Sequence, residues 1–337
     1  MLAKHSFGAA RGLYTPAMVK QNLAQSRLAL RYWPTWLGIA LAHASAYLPI
    51  GAQRALGRTM GALLHRTLRS RRHIAEVNVT LCFPELSAEQ RDVLVRGIFQ
   101  STGISVFETA RAFFRDPEGL RTRTSVEGIE HLDAARRLGR GVVLAGAHFA
   151  TLDLAGALLS LFTDFDVIYR PNDNPVIERA MRQGRARLYE CVIARDDLKG
   201  AITSLKSGHT LWYAADQDYG AKHSVFAPFF GNAAATITMT TRLARINGSP
   251  VVFYSHFREP DGRFRLKLSP MLEGYPSGDE VADAARMNRV IETEVRSRPD
   301  QYFWLHRRFK TRPSGEPSPY RAQPHKHRRA RQRNTER

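Results

Sequence analysis

The chain has 337 residues, 43% of them hydrophobic, with 24 glycines and a formal net charge of +19. That composition is globular and excludes a low-complexity chain, and the length suffices for one large core or one core with a small appended unit. Its two cysteines, Cys82 and Cys191, exclude a disulfide framework and show no CxxC or Cys/His metal spacing, which fits a reducing compartment.

The charge is concentrated at the ends. Residues 1–75 carry eleven Lys or Arg and no Asp or Glu, residues 321–337 carry seven against the single Glu336, and the 245 residues between them are almost neutral. A nucleic-acid-binding domain usually carries its basic residues on the folded unit. Basic ends around a neutral core suit an anionic membrane surface as well. In chain order, residues 1–31 form a basic N-terminal segment. Residues 32–53, "YWPTWLGIALAHASAYLPIGAQ", follow as a charge-free run with aromatics towards both ends. That pattern predicts a membrane-associated segment, either spanning or lying in the interface. Pro34, His43 and Pro49 weaken the spanning form, and a soluble core helix is the alternative. The late start of the run argues against a cleaved signal peptide.

Residues 53–115 have helical periodicity, with Ser87 and Gln90 at capping-box spacing. From 141 onward strands at 141–146, 165–169, 191–194, 210–214, 250–256 and 263–269 alternate with helices at 151–161, 175–188, 197–206, 235–247 and 281–297. This predicts an α/β fold with a mainly parallel central sheet flanked by helices, over 54–310. Residues 311–337, rich in Pro, Arg and His, read as a basic disordered tail.

In such a sheet, functional groups gather at the carboxyl ends of the strands. His148 lies just past the first of them, and Asp153 follows five residues later in an apolar stretch. Mid-helix the two would sit about 140° apart. With His148 in the loop and Asp153 in the first helical turn, the imidazole can fold back onto the carboxylate, making a general base for an alcohol. No G-x-S-x-G accompanies them and Cys191 has no matching His signature, so the spacing suggests direct transfer to a bound hydroxyl.

Three further loops lie at strand ends. Arg170 in "YRPNDNP" suits a phosphate, or pairs with Asp173 or Glu178. In "ADQDYG", Asp216 and Asp218 offer two carboxylates; without a third ligand a metal is not expected, and Asp218 is the candidate for substrate positioning. In "HRRFK", Arg307, Arg308 and Lys310 are candidates for anionic lipid or an acidic partner, or form a solvated basic face. "FAPFFG" (226–231) reads as core, or as part of an apolar wall for an acyl chain.

With "HFATLD", "YRPNDNP", "DQDYG", "SVFAPFFGNAAAT" and "WLHRRFKTRPSGEPSPY" in this order, residues 30–320 resemble the lipid A biosynthesis acyltransferases of the glycerolipid acyltransferase superfamily. The closing residues look most like the lauroyltransferase branch, where Glu often stands at the position of Asp153. The resemblance implies an enzyme on the cytoplasmic face of a Gram-negative inner membrane. It implies acyl carrier protein as donor and a 3-hydroxyacyl hydroxyl of Kdo-lipid IV(A), a lipid A precursor, as acceptor. His148 would be the base and Asp153 its orienter, with Arg170, Asp218, Arg307 and Arg308 as substrate-binding candidates. Neither metal nor organic cofactor is implied, and no nucleic-acid partner. Other acceptors, such as a lysophospholipid, a glycolipid or an ornithine lipid, remain open to the same fold. From another class, a basic nucleic-acid or membrane adaptor would leave His148 and Asp153 unused.

Overall fold

The computed structural model describes residues 30–321. The basic segment therefore lies outside the described residues apart from its last two positions, and so does the tail beyond Arg321. Four helices come first: α1 (Trp33–Ser45), α2 (Ile50–Thr67), α3 (Arg69–Cys82) and α4 (Ala88–Phe114). The expected capping box starts α4, with the Ser87 hydroxyl accepting from Gln90 N and the Gln90 side chain accepting from Ser87 N. A 3-10 turn, Pro117–Arg123, leads into β1 (Thr124–Glu127) and α5 (Ile129–Arg136). The alternating part follows: β2 (Val142–Gly146), α6 (Leu152–Leu159), β3 (Asp166–Tyr169), α7 (Pro175–Arg185), β4 (Val192–Ala194), α8 (Leu198–Lys206) and β5 (Thr210–Ala214). Then come β6 (Ser224–Phe229), β7 (Asn232–Ile237), α9 (Met239–Asn247), β8 (Val251–Arg258), β9 (Phe264–Leu268) and α10 (Glu280–Ser297).

Seven strands form one sheet in the order β1-β9-β8-β2-β5-β3-β4. The five from β8 to β4 are mutually parallel, while β9 runs antiparallel to β8 and carries β1 with it. The α/β expectation holds, with a two-strand antiparallel flank. β2 and β8 are buried along their whole length, as expected for strands covered on both faces. Two apolar clusters result. Val143, Ala145, Phe253 and Phe257 pack into one, Val142, Leu144, Val252 and Tyr254 into the other, so alternate residues of each strand serve opposite faces.

Glycines let α2 and α4 approach closely. A Cβ on Gly103 would lie 2.1 Å from the Gly57 carbonyl oxygen, and one on Gly61 would lie 2.3 Å from that of Phe99. On its other flank α4 is tied to the sheet by a buried bidentate pair, Glu108 with Arg258 at 2.6 and 2.8 Å.

Three expectations change. The run 32–53 is not one element: α1 ends at Ser45, a turn holds Pro49, and α2 begins at Ile50. No helix of the described residues is long and apolar enough to cross a membrane. The outward side of α1 is nevertheless apolar, with Trp33, Leu37 and Leu41 each more than 60% exposed at helical spacing. Second, the helix expected from 235 begins at Met239, because 224–237 form the β6–β7 hairpin. Of "FAPFFG", Phe229 and Phe230 are buried in the core as expected, while Phe226 is exposed. Third, the tail begins later than 311. Tyr320 is buried, its hydroxyl accepts from Phe309 N at 3.0 Å and donates to Asn78 Oδ1 at 2.6 Å, and Arg321 is still described.

Candidate active site

The parallel register builds the site. Residues of β2 pair with β5 at a constant offset, ending at Gly146 opposite Ala214. They pair with β8 likewise, Gly146 opposite Tyr254. Two residues further along each path stand His148, Asp216 and His256. Their side chains therefore converge at the carboxyl end of the sheet.

His148 is held by Asp216, not by Asp153. The imidazole Nδ1 lies 2.6 Å from Asp216 Oδ1, and the His148 backbone N–H donates to Oδ2 of the same carboxylate at 2.9 Å. The Tyr302 hydroxyl stands beside the same carboxylate and helps to keep it ionised. The His148 carbonyl accepts from Phe303 N at 2.9 Å, so the backbone of the residue is fixed on both sides. With Asp216 only 2% exposed and ionised, Nδ1 carries the proton and Nε2 is the basic nitrogen. Burial alone would lower the His148 pKa. The charge and hydrogen bond of Asp216, with the charge of Asp153 added, raise it above the ordinary value. Burial would likewise raise Asp216, but His148 and Tyr302 hold its carboxyl down at about 2.

Asp153 sits in the first turn of α6 as expected, where both of its oxygens are engaged elsewhere. Oδ1 meets Arg185 of α7 at 3.1 Å and Oδ2 accepts from Thr109 of α4 at 3.1 Å. The expected fold-back fails because the imidazole is drawn across the sheet to Asp216, while α4 and α7 supply closer donors to Asp153. What remains between His148 and Asp153 is the influence of charge through space.

The buried flank of His148 is nearly filled. A void of about 10 Å³, lined by His148, Asp216, Tyr302 and Arg308 among others, has room for one water. The imidazole is 26% exposed, so the ring is open to solvent on its other side. His256, just behind, donates to or accepts from Thr151 Oγ1 at 2.6 Å, and burial with the neighbouring His148 pushes its pKa down to about 3. It is a neutral ring in the wall of the site.

The other candidates separate. Arg170 lies exposed at the end of β3 and pairs with Asp173 at 3.3 Å. Arg307 is exposed beside the Tyr320 ring. Two of them are corrected as substrate contacts. Asp218 is buried: Oδ2 accepts from Thr311 N at 2.6 Å, and Oδ1 from Thr311 Oγ1 at 2.8 Å and Gly220 N at 2.9 Å. It ties two loops together, with both carboxylate oxygens engaged inside the protein. Arg308 is 2% exposed and donates to Ala235 O at 2.7 Å and Thr236 Oγ1 at 3.0 Å over the Phe229 ring. It is an interior strut and cannot meet a lipid surface.

Asp216, which sequence reasoning weighed as a turn or metal carboxylate, is the partner it missed. The signal was present in the equal spacing of His148 and Asp216 past their strands. Among the described residues a single trio could hold a metal, Asp166, Glu190 and His209, whose ligand atoms lie within 4.8 Å of one another. It stands at the amino ends of the strands, away from His148.

An imidazole with one nitrogen pinned to a buried carboxylate and the other facing an open mouth can take a proton from an alcohol. Comparison with known proteins gives the family. A family model described as bacterial lipid A biosynthesis acyltransferase matches residues 21–311. The lipid A biosynthesis lauroyltransferase of Escherichia coli K12 is 41% identical over 292 residues, 86% of this chain and 95% of that protein. The palmitoleoyltransferase of the same organism is 40% identical over the same shares. Its myristoyltransferase is 30% identical over 293 residues, 86% of this chain and 91% of that protein. A solved structure, the 1-acyl-sn-glycerophosphate acyltransferase of Thermotoga maritima, aligns with 67% of this chain and 96% of that one at 16% identity and a TM-score of 0.31. This chain belongs to the bacterial lipid A biosynthesis acyltransferase family.

Proposed function

We propose that the protein moves a fatty acyl chain from acyl carrier protein to a 3-hydroxyacyl hydroxyl of Kdo-lipid IV(A), with His148 as general base. The observation that carries this reading is the 2.6 Å contact between His148 Nδ1 and Asp216 at the carboxyl end of the sheet, in a chain of the lipid A acyltransferase family. The acceptor oxygen attacks the thioester carbonyl carbon as Nε2 takes its proton. The tetrahedral intermediate then collapses, the carbon–sulfur bond breaks, and the imidazolium returns the proton to the leaving thiolate. Asp216 keeps Nδ1–H in place throughout and stabilises the imidazolium. Asp153 contributes a second negative charge and, through Arg185 and Thr109, fixes α6 against α7 and α4. Neither a metal nor an organic cofactor takes part.

The exposed apolar stripe of α1 supports a segment lying on an anionic leaflet. An acyl carrier donor would put the catalytic unit on the cytoplasmic face of the inner membrane. Arg307 is the remaining candidate of the closing cluster for anionic lipid or the acidic carrier protein, and Arg170 for a phosphate of the acceptor. The relatives' names differ in their acyl chains at nearly equal identity, so lauroyl transfer rests on the closing motif alone.

The test is mass spectrometry of lipid A from cells lacking this protein, complemented with wild type or His148→Ala. Loss of one secondary acyl chain, restored by wild type only, supports the reading, and the mass difference names the chain. An unchanged lipid A overturns the acceptor and directs the search to other membrane hydroxyls.

A further inference from the structure

A second polar site lies on the opposite flank of α4. Arg111 is two residues past Thr109, about 200° around the helix, so it faces away from Asp153. With Arg115 and Arg123 it lines an open cleft of about 380 Å³, whose other wall is Tyr47, Pro49 and Ile50 in the turn between α1 and α2. Arg111 is only 8% exposed, yet its charge has no carboxylate partner among the described residues. Nη1 reaches only the Ala46 carbonyl at 3.3 Å, and the buried Nε has no hydrogen-bond partner. Arg115 lies against the Tyr47 ring at 5.2 Å. The nearest acids along the chain are committed elsewhere: Glu108 pairs with Arg258, Asp116 caps the following 3-10 turn and Glu118 pairs with Arg121. Nor can the N-terminal segment supply the missing charge, since residues 1–75 contain no Asp or Glu.

An unpaired buried guanidinium is costly, on the order of several kcal/mol. Arg115, half-buried, and Arg123, exposed, add their positive charge beside it, and both lower the Arg111 pKa further after burial, so an anion there would relieve all three. The carbonyl end of α4 eases Arg111 and Arg115 slightly but leaves their forked donors unused. A guanidinium fork fits a phosphate bidentately. The corner also terminates α1, whose Trp33, Leu37 and Leu41 stripe is bare. We propose that this corner binds the phosphate of an anionic membrane lipid, with Arg111, Arg115 and Arg123 on the headgroup and the α1 stripe along its acyl chains. The site holds the protein on the leaflet and is distinct from the hydroxyl-activating end, so it does not depend on which acceptor His148 serves.

The test uses the full-length protein and phosphatidylcholine vesicles with and without phosphatidic acid. Arg115 and Arg123 are changed together to Gln, because neither is fully buried and the fold should survive. A control of equal charge carries Arg137→Gln and Arg289→Gln, two exposed positions elsewhere. The wild type and the control should share the gain in affinity from phosphatidic acid, and the pocket variant should lose about tenfold of it. Equal loss in the control and the pocket variant would make the effect one of surface charge and overturn the proposal, as would an unchanged pocket variant. Inorganic phosphate provides the second arm, read as a melting shift. If it stabilises the wild type and not the pocket variant while the vesicles fail to discriminate, the ligand is a free anion and the lipid assignment falls.

Discussion

The sheet carries a histidine–aspartate pair at each end, and the two pairs differ in what surrounds them. At the carboxyl end His148 meets Asp216 at 2.6 Å; at the amino end His209 meets Asp166 at 3.1 Å. The rings are similarly exposed, 26% and 30%, and both carboxylates are buried. Asp166, however, also accepts from Ser204 Oγ at 2.5 Å and Cys191 N at 2.9 Å, joining α8 to the starts of β3 and β4. Asp216 spends two of its bonds on the one residue it orients. Each ring also has a second carboxylate near it, Asp153 for His148 and Glu190 for His209, so a second charge does not separate the two ends. On the proposed reading, a histidine–aspartate pair is a staple where its carboxylate binds several elements and can serve as a base where the carboxylate is given mainly to one imidazole. Residue identity does not separate the two; the number and origin of the partners does.

The sharpest way to break this comparison is to remove each ring. His148→Ala should lower the acyl-transfer rate by 10³-fold or more, within the range of a lost general base. His209→Ala should stay within about twofold, with any loss appearing as a lower melting temperature. Comparable rate losses would sink the distinction.

The carboxylates come next in size. Asp216→Asn should reduce kcat by about 10²-fold. The wild-type rate should fall with acid through a pH above the ordinary imidazole value near 6.5, because the raised His148 pKa must be exceeded for Nε2 to be free. Without the Asp216 charge that acid limb moves to lower pH. Asp166→Asn should leave the limb in place and cost on the order of 2 kcal/mol of stability by denaturant unfolding. A limb that shifts in Asp166→Asn and not in Asp216→Asn would reverse the assignment.

His256 sharpens the picture by its stability rather than its rate. Its folded pKa of about 3 lies below the unfolded value, so the unfolded chain binds the proton first. Its contribution is present above about pH 6.5 and is lost as pH falls towards 3, amounting to on the order of 5 kcal/mol at the acid end. His256→Gln should flatten the dependence of unfolding free energy on pH across that window. The smallest effect expected is that of excess chelator, which should leave the transfer rate unchanged within about twofold. A rate that collapses and returns with a divalent ion would require a metal in the mechanism.

Much of the fold was legible in the sequence because the buried strands are continuous apolar runs. "GVVLAG" and "PVVFYSH" stand out between helices of different period, and the six expected strands are found within two residues of their expected bounds, while the short edge strand β1 was not expected. The β6–β7 hairpin was not legible: Ala233, Ala234 and Ala235 favour a helix locally, and only pairing with Ser224–Phe229 makes them a strand. His148 was legible from its place past a strand. Its partner was not, because Asp153 is near in sequence while Asp216 is near only through the register of two adjacent parallel strands. Arg307 and Arg308 show the same limit at single-residue scale, since one of two adjacent guanidinium groups is exposed and the other is sealed inside.

That register has a consequence for how such a chain can change. What matters is the phase of each strand relative to its neighbour, not the length of chain between them. The exposed turns near Asp164 and Arg187 can gain or lose residues without altering which side chains meet at the mouth of the sheet. The short stretches from Val142 to His148 and from Thr210 to Asp216 cannot. Losing one residue there would slide the acid past the imidazole while leaving both in the sequence, so the distance from strand to catalytic residue, counted in single positions, is the most tightly constrained length in the molecule.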